Sequence, residues 1–306
     1  MSTEVTVVGE ALIDIVIPVS GEPSEHVGGS PANVAIGLAR LGHPTRLATH
    51  IGTDARGVRI AELMAREAVS LTADSCAAER TPTAAAHLDE AGVATYQFDL
   101  DWRLDPAQVP VPAGSHVHTG SIAATLSPGG AAVAEIVSAA RAQATVSYDP
   151  NARPTLMGEP EAVLPVIEHL ISLSDVVKAS EEDAAWLYPG RPVAEVLRHW
   201  AELGPALCAI TQGGSEAALL LAGELHCLPT LPTTVADTVG AGDSFMAGLI
   251  SGLLDAGLLG GTDARSRLYA AGWDEVLPAV QRALGCAAIT VSRVGANPPT
   301  RAELAG

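Results

Sequence analysis

Hydrophobic and polar positions follow two patterns along this chain. Short runs in which nearly every residue is apolar predict buried strands at residues 6–8, 146–149, 176–178, 207–211 and 218–221. Longer stretches with apolar residues at helical spacing predict helices at 31–41, 56–68, 129–142, 161–173, 182–187 and 192–203. Because strands and helices alternate, the sequence predicts an α/β fold with a mostly parallel central sheet.

Two segments do not fit this alternation. Residues 11–19 (ALIDIVIPV) and 83–102 (TAAAHLDEAGVATYQFDLDW) contain extended pieces, and the second has a turn at residues 90–92. They predict a small secondary sheet beside the main one. A cleft between a large α/β body and a small sheet is a place where ligands bind.

The segment VGGSPANVAIGLARLG, residues 27–42, reads as a glycine turn followed by a helix. Ser30 before Pro31 is typical of a helix N-cap with proline at the first helical position. Two interpretations stay open at this point. The segment is either an ordinary capped helix or a loop in which Gly29 lets a ligand approach the backbone and Asn33 contacts it.

A second glycine turn lies in ADTVGAGDSFMAGLISGLL, residues 236–254. Gly240, Ala241 and Gly242 open directly into an apolar helix, whose N-terminal amides attract anions such as phosphate. The next residue is Asp243, an acid beside an anion site. Such a carboxylate is useful if it accepts the proton of an attacking alcohol while the amides hold a phosphoryl group. A plain helix cap is the competing interpretation of the motif alone.

Composition and charge restrict the possible partners. Of 306 residues, 17 are Lys or Arg and 35 are Asp or Glu, which gives a net charge of −18. That charge repels nucleic acids and anionic lipids, so we expect neither as a partner. A signal peptide and an apolar run of membrane-spanning length are both missing from the sequence, and the four cysteines are scattered, which predicts a cytoplasmic protein. Lys178 is the only lysine, which we interpret as a preference for arginine.

Seven motifs in one order resemble those of the ribokinase-like carbohydrate kinases of the phosphofructokinase B type. They are GGSPANVA, IGTDARG (51–57), YDPNARP (148–154), VKASEEDAAWLYPG (177–190), ITQGG (210–214), DTVGAGD and AAITVSRVGANPPT (287–300). The resemblance covers nearly the whole chain. GGSPANVA and YDPNARP are most similar to the fructokinases.

The resemblance implies a three-layer α/β/α sandwich with a small β-sheet lid. The lid would be formed by residues 11–28 and 83–102 within a single domain, 1–306. Members of this family transfer the γ-phosphoryl group of ATP, with Mg2+, to a sugar or a similar alcohol. Fructose or a similar ketohexose is therefore the first substrate to expect. A 2-keto-3-deoxygluconate or other sugar-acid kinase and a non-catalytic sugar-binding regulator remain alternatives.

The resemblance also assigns roles to matched positions. The catalytic base and its anion hole are Asp243, Gly240, Ala241 and Gly242. The positions that bind the sugar are Asp14, Gly29, Asn33 and Arg153. The positions that contact the nucleotide are Ser180, Thr211 and Gly213. A homodimer through the lid is a further expectation.

Metal positions follow from the same resemblance. Asp183 occupies the acidic position of the family's Asn-x-x-Glu motif, which begins here with Ser180. Because aspartate is one methylene shorter, we expect Asp183 to reach magnesium or the phosphates through water in a wet cleft. A monovalent cation such as potassium (K+) would bind near the anion hole. Its ligands would be largely the carbonyls of Asp237, Val239, Thr290, Arg293 and Gly295. Glu216 replaces a usual glycine of the nucleotide loop.

Overall fold

The computed structural model describes residues 3–89 and 94–304. The strands are β1 (Val5–Val8), β2 (Leu12–Ile17), β3 (Ser24–Gly28), β4 (Thr45–Ala48), β5 (Val69–Leu71), β6 (Thr83–Leu88), β7 (Ala94–Asp99), β8 (His116–Gly120), β9 (Thr145–Asp149), β10 (Val176–Ser180), β11 (Leu207–Gln212), β12 (Glu216–Leu221) and β13 (Glu224–Pro229). The helices are α1 (Ser30–Arg40), α2 (Ala55–Arg66), α3 (Gly129–Ala140), α4 (Pro154–Met157), α5 (Pro160–Ser172), α6 (Glu181–Leu187), α7 (Val193–Leu203), α8 (Ala241–Asp255), α9 (Thr262–Ala270) and α10 (Trp273–Val291).

The main sheet has nine strands among the described residues, in the order β13-β12-β11-β10-β9-β8-β1-β4-β5. The seven strands β11, β10, β9, β8, β1, β4 and β5 are parallel to one another. Strands β12 and β13 extend one edge of the sheet by antiparallel pairing. The central strands are buried on both faces because helices cover both faces of such a sheet, although β8 and β9 carry buried polar side chains such as His116, His118 and Ser147. This explains the continuous apolar runs in the sequence.

Two hydrophobic cores lie on opposite faces of this sheet. One contains buried side chains of α1, α2, α8 and α10, and the other contains those of α3, α5 and α7. The molecule is therefore a three-layer α/β/α sandwich, as predicted from the resemblance. The five predicted strands and six predicted helices are all present, and their ends differ by at most two residues.

The small sheet has the order β3-β2-β6-β7 and stands apart from the main sheet. On β2, Asp14 lies between His26 of β3 and Ala84 of β6. Both segments that broke the helix–strand alternation are found in this sheet, and the predicted turn at 90–92 lies outside the described residues. The assignment of residues 1–306 to one domain stays a prediction. Within the described ranges, none of the helices is long and apolar enough to cross a membrane.

Candidate active site

A cleft of about 990 Å³ separates the two sheets. The small sheet contributes Leu12, Asp14 and Phe98, and the main layer contributes residues from loops that follow its parallel strands. Ligands of open α/β sheets bind at this edge, because the loops after parallel strands converge there. The turn that begins α8 also lines the cleft.

The turn before α8 has the backbone that an anion site requires. Gly240 is the N-cap in the left-handed conformation, with φ of 74°. A Cβ atom there would lie 2.6 Å from Cβ of Ala296, so only glycine fits without a shift. The amides of Gly242 and Asp243 fall in the first turn, where N–H groups have no partner inside the helix. These amides and the helix dipole can hold a negatively charged group.

Asp243 is held in place by α1. Ser30 Oγ donates to Oδ1 at 2.6 Å, and Asn33 Nδ2 donates to Oδ2 at 2.8 Å. The Asp243 side chain is buried next to the cleft. The interpretation of Ser30 as an N-cap is wrong, because Gly29 is the N-cap and the Ser30 hydroxyl points to Asp243. Ser30 is thus a functional residue that the sequence analysis assigned to helix capping alone.

The four residues predicted to bind sugar line one half of the cleft. Asp14 is exposed there and packs over Gly28, where a Cβ atom would lie 1.9 Å from Oδ2. Gly29 has φ of 107°, which favours glycine. The Arg153 guanidinium donates from Nη1 to Oδ1 of Asn151 at 2.7 Å. The structure therefore brings these four residues together, and their contact with a sugar stays a prediction.

The residues predicted to contact the nucleotide line the other half. Ser180, Thr211 and Gly213 all border the cleft at the ends of β10 and β11. Glu216, the departure in this loop, begins β12 and accepts a hydrogen bond from Gln212 Nε2 at 3.0 Å. The loop therefore closes as an ordinary antiparallel turn with glutamate in the glycine position.

Asp183 lines the cleft as expected, but the expectation that its carboxylate is wet is wrong. Its side chain is buried, with 6% exposed. Oδ1 accepts from the Ala152 amide at 2.7 Å, and Oδ2 accepts from the Ser180 amide at 2.8 Å. Ser180 Oγ accepts in return from the Asp183 amide, which completes a capping box at the start of α6. Both carboxylate oxygens are therefore already used by the backbone, and a role in metal binding stays a prediction.

Two loops predicted to hold a monovalent cation meet beside the anion site. Asp237 accepts from the amides of Val239 at 3.0 Å and Gly295 at 2.8 Å, and these bonds lower its pKa. The Thr290 carbonyl accepts from the Arg293 amide at 3.0 Å. Hydrogen bonds thus connect the segments that contain all five residues. No group of three or more His, Cys, Asp or Glu in the described ranges is arranged to hold a metal ion.

Glu10 is a buried acid in the cleft that the sequence analysis missed. It follows β1 and accepts from the Ala123 amide at 3.1 Å, and its side chain is 6% exposed. Burial raises its pKa from 4.5 to about 7, against the opposing effect of the hydrogen bond from Ser121. The only sequence signal was an acidic residue two positions after a buried strand.

We expect the burial of Glu10 to make stability depend on pH. Since its pKa is higher in the folded chain, the folded chain binds more protons between pH 4.5 and 7. Its contribution to stability is complete below pH 4.5 and is lost as the pH rises through 7, a loss of about 3 kcal/mol. Glu10→Gln should abolish this loss, so its advantage over wild type should grow from pH 5 to pH 8 in urea unfolding. Parallel pH curves for the two proteins would contradict the assignment.

Lys178, which the sequence pattern left without a structural role, lines the cleft. It lies on β10, where its side chain is 4% exposed, and its Nζ donates to Asp149 Oδ2 at 2.9 Å. The same side chain lines the cleft next to Gly242. A carboxylate, the N-terminus of a helix and a buried cation therefore face one cleft, an arrangement that suits a phosphotransferase.

Comparison with known proteins identifies the family. The model of the pfkB family carbohydrate kinases matches residues 2–303. The chain belongs to the pfkB family of carbohydrate kinases. The predicted family, fold class and enzyme class are thereby confirmed.

Fructokinases are prominent among the similar proteins. The chain is 33% identical to a fructokinase of Klebsiella pneumoniae over 266 residues, which covers 84% of this chain and 87% of that protein. It is 30% identical to a fructokinase of Escherichia coli over 316 residues, with 99% of both chains covered. A fructokinase double mutant from Vibrio cholerae O395, crystallised with fructose, ADP and potassium ion bound, has 27% identity and a TM-score of 0.84. That match covers 99% of this chain and 97% of the other.

Proposed function

We propose that this protein is an ATP-dependent fructokinase, which transfers the γ-phosphoryl group of ATP to a hydroxyl of fructose or a similar ketohexose. The observation that carries the proposal is the position of Asp243 at the mouth of the anion site, with both oxygens held by α1. The fructokinase relatives support fructose as the acceptor.

The proposed reaction uses both halves of the cleft, one for the sugar and the other for the nucleotide. Asp14 and Asn33 bind sugar hydroxyls on the side of the small sheet, and the reacting hydroxyl faces Asp243. The Asp243 carboxylate accepts the hydroxyl proton as the sugar oxygen attacks. The amides of Gly242 and Asp243 hold the negative charge of the phosphoryl group. The small sheet excludes water, which would otherwise accept the phosphoryl group.

Two cations fit this proposal in different ways. Magnesium would supply positive charge that neutralises the nucleotide phosphates. Since both Asp183 oxygens accept backbone hydrogen bonds, this chain would hold magnesium mainly through water, which that ion retains readily. Potassium would be held by carbonyls of the two loops that Asp237 joins. Its effect would be to order the turn that begins α8.

Charge argues against a sugar acid as substrate. Two carboxylates, those of Asp14 and Asp243, line the sugar half of the cleft, and Glu10, with a pKa raised to about 7, adds a partial negative charge. Arg153 is a cation in that half, and its guanidinium donates a hydrogen bond to Asn151. A substrate carboxylate would meet net repulsion there. A neutral, hydroxyl-rich ketohexose is the better match.

An ADP-release assay against a panel of neutral sugars and sugar acids tests the proposal. We expect activity with fructose and little with 2-keto-3-deoxygluconate. A preference for 2-keto-3-deoxygluconate would contradict the fructokinase proposal and indicate a sugar-acid kinase. The absence of ADP release with every acceptor would favour a non-catalytic regulator.

Asp14→Ala tests where the sugar binds. Loss of a hydrogen bond from a sugar hydroxyl to this carboxylate should weaken sugar binding by about 1.5–3 kcal/mol. The KM for fructose should therefore rise about 10- to 100-fold, while the KM for ATP stays within about twofold. An increase in the KM for ATP alone would show that Asp14 does not bind the sugar.

We also infer a homodimer through the small sheet, as the family resemblance implies. Exposed apolar side chains on or beside that sheet, Val19 and Tyr96, support this contact. Light scattering of the purified protein at micromolar concentration measures the oligomeric state, and a monomer would contradict the inference.

A further inference from the structure

The ion pair of Lys178 and Asp149 lies beside the anion site and has no role in the proposed function as stated so far. Lys178 is the only lysine of the chain. Its Nζ is close to Gly242, where a Cβ atom would lie 2.8 Å from it. The ammonium group therefore occupies space next to the anion-binding turn that a side chain at position 242 would otherwise fill.

Both members of this ion pair keep hydrogen-bonding capacity that other described residues do not use. An ammonium group has three donors, and Lys178 makes one hydrogen bond in the part of the chain that the structure describes, to Asp149 Oδ2. The other carboxylate oxygen, Asp149 Oδ1, is buried and has no hydrogen-bond partner among the described residues. An ion pair that served only stability would be expected to satisfy its buried polar atoms, since each unsatisfied one costs free energy.

The charges around Lys178 keep it cationic. Burial alone would lower its pKa, but the carboxylates of Asp149, Asp183 and Asp243 raise it above the usual value. Among the described residues that line the cleft, Lys178 and Arg153 carry positive charge, and Arg153 lies in the sugar half. Lys178 is therefore the cation next to the site where a nucleotide phosphate would meet the N-terminus of α8.

We propose that Lys178 is a catalytic residue that donates its free hydrogen bonds to the γ-phosphoryl oxygens of ATP, and that Asp149 is a positioning residue that holds it there. This inference rests on the proposed function. The sugar oxygen forms a bond to the γ-phosphorus while the bond to the β–γ bridging oxygen breaks. That electron pair leaves with ADP, and the hydroxyl proton goes to Asp243. Lys178 stays protonated and stabilises the charge on the phosphoryl oxygens.

The single lysine permits a direct test on the wild-type protein. Protein grown with 13C-labelled lysine has one Cε signal in an NMR spectrum. With magnesium present throughout, the signal should differ between the complex with ADP and the complex with a non-hydrolysable ATP analogue, because only the analogue has a γ-phosphoryl group. The same position in both complexes would overturn the proposal. Failure of both nucleotides to bind would instead refute the proposed function.

Kinetics of variants give the second test. Lys178→Met should lower kcat by about 10²–10³, while the Kd for ADP, measured by calorimetry, stays within about threefold. The kcat of Lys178→Arg should be at least tenfold higher than that of Lys178→Met, because arginine keeps the charge. The kcat of Asp149→Asn should lie between those of Lys178→Met and wild type. A purely structural pair predicts the opposite result, in which Tm and ADP affinity fall and kcat is maintained. A kcat of Lys178→Met within threefold of wild type would also overturn the proposal.

Discussion

Asp243→Asn is expected to lower kcat by about 10²–10⁴, because the amide cannot accept the proton of the attacking hydroxyl. Asparagine has nearly the same shape, and its remaining oxygen can still accept a hydrogen bond from Ser30 or Asn33. The fold and the affinity for ATP should therefore persist. Steady-state kinetics with fructose, together with calorimetric titration of ADP, measure both parts of this expectation.

The control for Asp243→Asn is Ser30→Ala. It removes one of the two hydrogen bonds that hold the carboxylate, a donor at 2.6 Å, but leaves the base itself. We expect a smaller loss of kcat, about tenfold, with Thr at position 30 restoring much of it because the hydroxyl is retained. Turnover of Asp243→Asn near the wild-type rate would eliminate the proposed base.

Asp183→Ala is expected to destabilise the protein by about 2–3 kcal/mol, because two backbone amides lose a charged acceptor. These are the amides of Ala152 and Ser180, and the carboxylate that binds them is buried. The change in free energy of unfolding should appear in urea titrations and as a Tm lower by roughly 3–5 °C.

The matched control is Glu182→Ala in the same first turn of α6. Glu182 is exposed, so its removal should change stability by about 0.5 kcal/mol or less. If Asp183→Ala is as stable as Glu182→Ala, the capping box is not what holds this loop. A magnesium titration of the Asp183→Ala rate, well below its Tm, tests the separate prediction that the carboxylate couples to the metal. An unchanged titration would remove that metal role.

The local pattern of residues was enough to predict an α/β fold with a mostly parallel sheet, although it missed β4, β5 and β13 of that sheet. The apolar run at 207–211 predicted the strand observed at Leu207–Gln212, because burial on both faces leaves no polar position. The Gly240–Asp243 turn was also predictable, since positive φ at Gly240 and the open amides of a helix start are properties of a few consecutive residues. The strand and the turn both depend on residues adjacent in the chain, so a short segment of sequence is enough to predict each.

The use of the polar side chains was decided only by the tertiary structure. Ser30 was assigned to helix capping because the pattern Ser-Pro permits it, yet its hydroxyl binds a carboxylate 213 positions away. Asp183 was expected in water, but packing buried it against the amide of Ala152. Lys178 looked incidental until β9 and β10 paired and placed it against Asp149. The sequence alone determined the long apolar strands, the longer helices and the glycine turn before α8, because these follow from local periodicity and backbone preference. Which oxygen or nitrogen satisfies which partner depends on contacts between distant segments, and those exist only once the layers pack.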